Sequence, residues 1–529
     1  FATGFINGLL PMKRRQFIRT AGAGALGMAA SLGNLPGLRS RYAYAAKKWG
    51  DYPDYAASAI LPLQYQAKNV LDIFLYGGIS PWETFYVIPE YGFPTEAGEI
   101  GQQWWTFQEG DNNVQEVYEA CHGSQSNPML QDFRLDGNGM MVRLGPFTET
   151  LRQRQDIIDR LRIHVLSHTL EPHEAAIPLG LTGFRLGAPK MAGVGAAIQH
   201  HYQAHSDIIT GEPSAYVLYS PGDFPTDNLR AASAVGQHPG SARPLAIRVQ
   251  PGTGFIDGLK RQSIAAFQPN FDLLLNHYQT QFKNRLKWPG MPNSVRSQTT
   301  ADYQFTLNTM QKSAELVDIL DPSFFKKISG EACGDSADVN HPNMALKLAA
   351  HLLTRDNSVA RYVCVVDGGL IPASGGGGYD THENHIKDSA RNLKNLWTNL
   401  TAIINEPGED DPNKLNLSET LICINTEFGR TPWPQNEHGR NHHPYAYTTM
   451  MFGGPVGPDQ QGIVGAIGPD GYATDALSPA QTRAAVLAAL GIFPFAPECY
   501  AVSDVYGSGT EAEAAKYLNE VVLGVTQSV

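Results

Sequence analysis

Residues 420–430 read TLICINTEFGR, an apolar, β-branched run that ends at a carboxylate and an arginine. Its length and near-continuous apolarity are typical of a central strand that is covered on both faces of a sheet. Five other runs of strand length share this character and lie at residues 69–76, 162–166, 215–219, 245–249 and 361–366. We therefore predict that these six segments are strands.

Helical patterns lie between several of these strands. The spacing of the apolar residues predicts helices over residues 148–160, 344–353, 386–404 and 480–490. Strands that alternate with helices are typical of a mostly parallel sheet, so the sequence predicts a doubly wound α/β domain over residues 46–529. Residues 88–145 lack a clear period and residues 255–340 are polar and largely helical in pattern, so both are expected to be insertions.

The basic residues are concentrated near the start of the sequence. The 529-residue chain carries a formal net charge of −11, but residues 1–45 contain no Asp or Glu. Residues 12–45 combine an arginine pair, a short apolar stretch rich in Gly and Ala, and Ala43-Tyr44-Ala45, which has the form of a cleavage site. This segment resembles a twin-arginine export signal and predicts a periplasmic or extracellular bacterial protein. The alternative is an ordinary amphipathic segment.

Composition and cysteine spacing exclude several classes of protein. An acidic chain lacks the clustered Lys and Arg that bind nucleic acid, and the absence of an apolar run of 18 or more residues predicts no transmembrane helix. No CxxC pair supports a zinc ribbon or a thioredoxin-like site. Cys364 and Cys423 are expected to be buried in strands, whereas one disulfide among Cys121, Cys333 and Cys499 is compatible with their loop-like contexts.

Five of the 16 histidines lie between residues 382 and 443. Asp380-Thr381-His382 follows the predicted strand at 361–366 across a glycine-rich loop, and a carboxylate beside imidazoles suits a transition metal. The alternative is a helix N-terminus in which Asp380 or Thr381 is the N-cap and Glu383 lies near the N3 position.

Four other polar segments are candidates because ligands of α/β sheets bind beyond the carboxyl ends of the strands. Glu427 and Arg430 follow the strand at 420–426, although they can also simply pair with each other. The loop at 438–444 suits an anion or a metal, or is a solvated loop. Residues 167–174 follow another strand, where a plain polar turn is the alternative. The glycine turn at 77–84 offers backbone N–H groups to an anion.

The order of these motifs is similar to that of the DUF1501 family of exported bacterial proteins, which is placed in the alkaline phosphatase and sulfatase superfamily. The matching segments are the glycine turn with Ser80, Ser167 with His173, DTH at 380–382, EFGRTP at 427–432 and GRNH at 439–442. The resemblance implies an alkaline phosphatase-like sheet with a metal site at its strand ends. It matches Asp380 and His382 to an Asp/His ligand pair, and His442 to a later ligand histidine.

The sequence departs from the superfamily pattern at three positions, so the implied metal site has fewer ligands than the superfamily pattern provides. Phe428 stands where a second-metal histidine is expected, Gly77 follows the first strand in place of a metal-binding Asp, and Asn441 replaces an Asp. A two-metal mechanism needs both ions, so we predict one metal or none. None of the five cysteines begins a C-x-P-x-R motif, which argues against a formylglycine sulfatase.

The residues and the resemblance together predict an exported, single-metal hydrolase of phosphate or sulfate esters, acting on a small-molecule or polymeric ester. The expected cofactor is one divalent metal, Zn, Mn or Ca. The alternatives are a non-catalytic periplasmic or surface binding protein and a subunit of an exported complex with a protein partner. The predicted roles are metal ligands for Asp380, His382 and His442, with Glu427 as a fourth ligand or the partner of a ligand; substrate binding for Arg430 and Arg440; acid–base chemistry for His173; and nucleophilic attack for Ser80.

Overall fold

The structure is a computed structural model, and its described residues belong to the unit Tyr52–Val529. It describes residues 56–91, 113–123, 128–185, 193–205, 216–221, 245–249, 340–355, 360–370, 378–495 and 499–526 except 508, together with short pieces between 269 and 337. The predicted export signal at 12–45 and most of the predicted insertion at 255–340 lie outside the described residues.

An eight-stranded sheet contains all six predicted strands within one or two residues of their expected ends. They are β1 (Asn69–Leu75), β2 (Arg162–Leu166), β3 (Tyr216–Pro221), β4 (Leu245–Val249), β5 (Tyr362–Asp367) and β6 (Thr420–Thr426). The sheet also contains β7 (Tyr447–Phe452) and β8 (Gly462–Val464), which the pattern did not predict.

The strand order is β8-β2-β7-β6-β1-β5-β3-β4. Strand β7 runs antiparallel to its neighbours β6 and β2, and the other pairs are parallel. The sheet is therefore mostly parallel, as predicted. Strand β1 lies between β5 and β6, and every residue of these three strands is buried, which explains their continuous apolar runs.

Helices cover both faces of the sheet. The described helices of seven residues or more are α1 (Val114–His122), α2 (His173–Thr182), α3 (Val194–His205), α4 (Asn340–Thr354), α5 (His385–Ala402), α6 (Pro479–Ala489) and α7 (Glu511–Tyr517). Leu71, Ile73 and Leu75 of β1 belong to the same apolar core as α4 and α5. The alternate residue Asp72 instead forms an ion pair with Arg483 of α6, so α6 packs on the opposite face.

Three predicted helices, at 344–353, 386–404 and 480–490, are confirmed as α4, α5 and α6. The predicted helix at 148–160 is wrong as a single element. It is divided into Pro146–Thr148, Glu149–Arg152 and Gln155–Ile158, because Arg154 leaves the helical region with φ −103° and ψ 80°. In that conformation its guanidinium donates hydrogen bonds to the backbone oxygens of residues 401, 404 and 405, which offset the lost helical bonds.

Smaller elements complete the described structure. Short helical segments lie at Ala56–Ala59, Leu63–Tyr65, Pro89–Tyr91, Pro458–Gln460, Val502–Val505 and Leu518–Val522. Two-stranded hairpins join Gln131–Leu135 with Met141–Leu144, Lys287–Trp288 with Met291–Val295, Gly330–Ala332 with Asp335–Ala337, Gly429–Arg430 with His442–His443, and Ala466–Ile467 with Ala473–Asp475. None of the described helices is long and apolar enough to cross a membrane.

A disulfide connects Cys121 of α1 to Cys333 in the Gly330–Ala332 hairpin, 212 residues along the chain. It selects one of the pairings that the sequence left open. Cys364, Cys423 and Cys499 are buried and free, so Cys364 and Cys423 lie within the sheet as small apolar residues, as predicted.

Candidate metal centre

Four strands of the sheet deliver polar residues to one place. Strand β1 ends at the Gly77 turn, β2 leads to His173 at the first position of α2, β5 leads to Asp380, and β6 is followed directly by Glu427. Because β1, β2, β5 and β6 all run in the same direction, their carboxyl ends lie at the same edge of the sheet. The hairpin of Gly429–Arg430 with His442–His443 brings a further histidine to this edge.

Three imidazole nitrogens converge on one oxygen of Asp380. Its Oδ1 atom lies 3.0 Å from the Nε2 atom of His382, 3.3 Å from that of His173 and 3.4 Å from that of His442. The Nε2 atoms of His382 and His442 are 3.0 Å apart. A metal ion held at about 2.0–2.1 Å by tetrahedral ligands separates its ligand atoms by roughly 3.3–3.4 Å, so these separations fit one ion.

Among the residues that the structure describes, His173, Asp380 and His442 form a group of three whose candidate ligand atoms all lie within 4.8 Å of one another. His382 lies at the outer side of this set, with 34% of its side chain exposed, compared with 19% for His442 and 13% for His173. Solvent therefore reaches the group from the side of His382.

Each of the three histidines is oriented by an oxygen that can only accept a hydrogen bond from its Nδ1 atom. The pairs are His173 with Oε1 of Glu427 (2.9 Å), His382 with Oε1 of Gln435 (2.6 Å) and His442 with the backbone oxygen of Glu171 (2.9 Å). In the neutral ring the proton then occupies Nδ1, and the Nε2 lone pair points into the group. An acceptor behind the outer ring nitrogen is the usual support of a metal-bound histidine.

Arg430 already donates to Asp380, but the Nε2 lone pairs of His382 and His442, 3.0 Å apart, repel each other unless a further positive charge lies between them. The Nε2 atom of His173 is buried and, within the described part of the chain, makes no hydrogen bond, although Asp380 is close. Either a proton or a metal ion can supply the charge. The donor set, nitrogen atoms with one carboxylate oxygen, suits a divalent transition metal.

The electrostatics of the metal-free site follow from these contacts. Burial alone would lower the pKa of His173, but its contacts with Asp380 and Glu427 raise it to about 9. Burial lowers the pKa of His442, and the positive charges of Arg430 and His173 oppose its protonation as well. Burial disfavours the ionised form of Asp380, yet the three histidines and Arg430 hold its pKa well below its usual range.

Asp380 is fixed by a close approach of two loops. Gly77 has φ +119°, and a Cβ atom there would lie 2.2 Å from the backbone nitrogen of Asp380. The N–H group of Gly77 donates to Oε1 of Glu427 at 2.8 Å, so this glycine turn binds an anion that belongs to the protein. Gly439 is equally constrained, because a Cβ atom there would lie 1.7 Å from the backbone oxygen of His382.

Glu427 lies behind the histidines. It is fully buried, and its Oε1 atom accepts hydrogen bonds from His173 and Gly77. His168 accepts the N–H of Leu170 at Nδ1, so its Nε2–H donates to the backbone oxygen of Glu427 at 2.7 Å. The two predicted segments that contain Glu427 and His168 are therefore in contact, and Glu427 orients the ring of His173.

Arg430 and Arg440 are fully buried, and both guanidinium groups are bound by the protein. Arg430 donates to Asp380, to the backbone oxygens of Gly77 and Gly78, and to that of Arg440. Arg440 donates to Glu83 and to the backbone oxygens of residues 431 and 432.

Ser80 is also buried, and its hydroxyl donates to Glu83. Phe428, at the position of the expected second-metal histidine, stacks on His442 with ring centroids 4.4 Å apart and lies 4.9 Å from His173. It forms an apolar wall of the site. The proposed helix N-terminus at Asp380 is wrong: α5 begins at His385 with Asn384 as N-cap, in a left-handed conformation (φ 51°), and Glu383 precedes the helix.

Sequence reasoning did not single out Glu171, Gln435 or Glu83, and it assigned His173 to acid–base chemistry. The signal for Glu171 and His173 was their position directly after β2 in a segment rich in ionisable residues. Glu83 lies within the candidate turn at 77–84, but its contact with Arg440, 357 residues away, has no local signal, and neither has the contact of Gln435 with His382.

The fold and the site define an α/β protein with a candidate one-metal centre at the carboxyl ends of its parallel strands. The family model described as "Protein of unknown function (DUF1501)" matches residues 67–496, and the chain belongs to this family. The membership expected from the motifs is confirmed. No curated protein and no solved structure matches the chain.

Proposed function

We propose that this chain is an exported hydrolase of phosphate or sulfate esters that depends on one divalent metal and has an alkaline phosphatase-like fold. The observation that carries the proposal is the orientation of three imidazole rings, each held at Nδ1 by an acceptor so that Nε2 faces Asp380. This arrangement is built for a cation, and solvent reaches it from one side.

His173, Asp380 and His442 would hold the metal, and His382 at the exposed side would be a fourth ligand or would face the substrate. The nitrogen-rich donor set favours Zn over Ca, which prefers oxygen ligands. A divalent metal bound here would supply Lewis acidity and lower the pKa of a water molecule. His173 then serves as a ligand, with Glu427 keeping its ring in the required orientation.

The remaining predicted roles change in this proposal. Arg430 and Arg440 are positioning residues, since each guanidinium already donates to a carboxylate and to backbone oxygens. Water, not Ser80, is the nucleophile, because the Ser80 hydroxyl is buried and bound to Glu83. A substrate would reach the site past His382, beside the apolar ring of Phe428.

Export is supported by two independent features. The segment at 12–45 resembles a twin-arginine signal, and Cys121 forms a disulfide with Cys333. Disulfides persist in oxidising compartments such as the periplasm and are rare in the bacterial cytosol.

The test is hydrolysis of chromogenic phosphate and sulfate esters by the purified chain with added Zn²⁺ or Mn²⁺. We expect turnover that a chelator abolishes and that His442→Ala lowers by about 100-fold or more, since removal of a ligand costs several kcal/mol of transition-state stabilisation. His438→Ala is the matched control, because His438 lies on the same loop and is 61% exposed. Turnover that survives both the chelator and His442→Ala would contradict the proposal.

A non-catalytic binding protein, or a subunit of an exported complex, is the second candidate. It is favoured by the engagement of Arg430 and Arg440, because neither buried guanidinium is available to an anionic substrate. A site closed by four protein ligands is also typical of structural metals. In that case the protein binds a metal tightly, and no ester in the screen is hydrolysed.

A further inference from the structure

A buried carboxylate, Glu83, joins the two loops that carry the metal-ligand candidates. It lies on the loop after β1, and it is 1% exposed. Its Oε1 atom accepts from Arg440, and its Oε2 atom accepts from Ser80 and from Nε2 of His385 at 3.2 Å. No role was predicted for it from the sequence.

Two of the three partners of Glu83, His385 and Arg440, lie close to metal-ligand candidates along the chain. His385 ends the segment that contains Asp380 and His382, whereas Arg440 lies two residues before His442. Two backbone hydrogen bonds link the same two loops. They run from the N–H of His385 to the oxygen of residue 438 at 2.8 Å, and from the N–H of Arg440 to the oxygen of residue 381 at 3.2 Å.

The protonation pattern of the network is determined by its contacts. A carboxylate only accepts, so Nε2–H of His385 donates to Glu83, and Nδ1 of His385 lies 2.6 Å from the hydroxyl of Thr381. Burial lowers the pKa of His385 and favours its neutral ring, in which Nδ1 accepts from that hydroxyl, and Glu83 balances the charge of Arg440. Because Glu83, His385 and Arg440 are all sealed from solvent, none of them can contact a substrate.

We infer that Glu83 is a positioning residue that sets the separation between the Asp380–His382 loop and the His442 loop, and so sets the affinity and geometry of the metal site. This inference rests on the proposed metal-binding function. Partners behind metal ligands typically change metal affinity by about 10- to 100-fold when they are removed.

Glu83→Gln alone would leave the buried charge of Arg440 without its counter-ion, which is strongly destabilising. The informative variant is therefore Glu83→Gln with Arg440→Met, which removes both charges at similar volume. Its matched control is Asp72→Asn with Arg483→Met, because Asp72 and Arg483 form an equally buried ion pair in the sheet and on α6. His385→Asn removes no charge. It removes the contact of Glu83 with the Asp380–His382 loop and leaves its contact with Arg440.

The experiment measures the Zn²⁺ dissociation constant by competition with a chromogenic chelator, the visible spectrum of the Co²⁺-loaded protein, and urea unfolding. We expect the Glu83/Arg440 double variant to bind Zn²⁺ about tenfold or more weakly with an altered Co²⁺ spectrum. The Asp72/Arg483 variant, in contrast, should keep the wild-type affinity and spectrum whatever stability it loses. If the Glu83/Arg440 variant does not fold, His385→Asn should show the same weakening.

The inference would be overturned if the folded Glu83/Arg440 variant kept the wild-type affinity and spectrum. If only His385→Asn folds, the same result in that variant would overturn it. Either result would leave the proposed metal site intact. Equal weakening in the Asp72/Arg483 control would also overturn it, since any buried ion pair would then have the same effect. A wild-type chain that binds neither Zn²⁺ nor Co²⁺ would instead refute the proposed function, and this inference with it.

Discussion

Metal binding at pH 7 is predicted to release about one proton, which comes from His173. In the metal-free protein the contacts of His173 with Asp380 and Glu427 raise its pKa to about 9. A group with a pKa near 9 is about 99% protonated at pH 7, and the metal needs the unprotonated Nε2 atom. The apparent metal affinity should therefore rise by about tenfold between pH 7 and pH 8 and level off above pH 9.

The stability of the metal-free protein should also depend on the protonation of His173. It should fall as the pH rises, whereas the metal affinity should increase. Because the folded pKa of about 9 lies above the ordinary value of 6.5, this contribution is fully present below pH 6.5 and is lost as the pH rises through 9. It amounts to roughly 3 kcal/mol at 1.36 kcal/mol per pKa unit. Urea unfolding of the chelated protein at pH 6.5 and pH 9.5 measures the difference.

The assay for proton release is isothermal titration calorimetry of Zn²⁺ in buffers that differ in ionisation enthalpy. Glu427→Gln is the informative variant, because it removes one of the two carboxylates that raise the pKa of His173. We expect this variant to release fewer protons on binding Zn²⁺ at pH 7.5 than the wild-type chain releases. Release of fewer than about 0.2 protons by the wild-type chain, or an affinity that does not change between pH 7 and pH 8, would refute the assignment of the proton to His173.

Two further perturbations test the structure around the site. Gly439→Ala should weaken metal binding by about tenfold or more, because its Cβ atom would lie 1.7 Å from the backbone oxygen of His382. Gly507→Ala is the control and should leave metal binding unchanged, because the space at its Cβ position is open. The chelator competition assay compares the two variants. Reduction of the Cys121–Cys333 disulfide should lower the free energy of unfolding by about 2–4 kcal/mol, and urea unfolding with and without a reductant checks this; an unchanged midpoint would contradict it.

The parallel part of the sheet could be predicted because each buried strand is a continuous apolar run. Strand β7 escaped prediction because Thr448 and Thr449 interrupt its apolar pattern, although both are buried. The helix expected over 148–160 has the right apolar spacing, but the tertiary hydrogen bonds of Arg154 outweigh local propensity. An apolar pattern can be identified from neighbouring residues, whereas the hydrogen bonds of Arg154 join residues that are distant in the sequence.

The candidate site could be predicted only in part for the same reason. Asp380 and His382 are neighbours in sequence, and their residue types indicate a metal. The position of His173 as a ligand depends on Glu427, which lies 254 residues away and holds its Nδ1 atom. The charge of Arg430 and Arg440 suggested a substrate contact, but their complete burial is a property of the fold that no local pattern reveals.

The metal content of the purified chain tests the central claim most directly. Elemental analysis after purification without chelators should find about one divalent transition metal ion per wild-type chain, as the ligand set requires. His438→Ala should retain it, and His442→Ala should lose most of it, because His442 contributes one of the converging nitrogens. A wild-type chain without metal, or a His442→Ala variant with the wild-type content, would contradict the account.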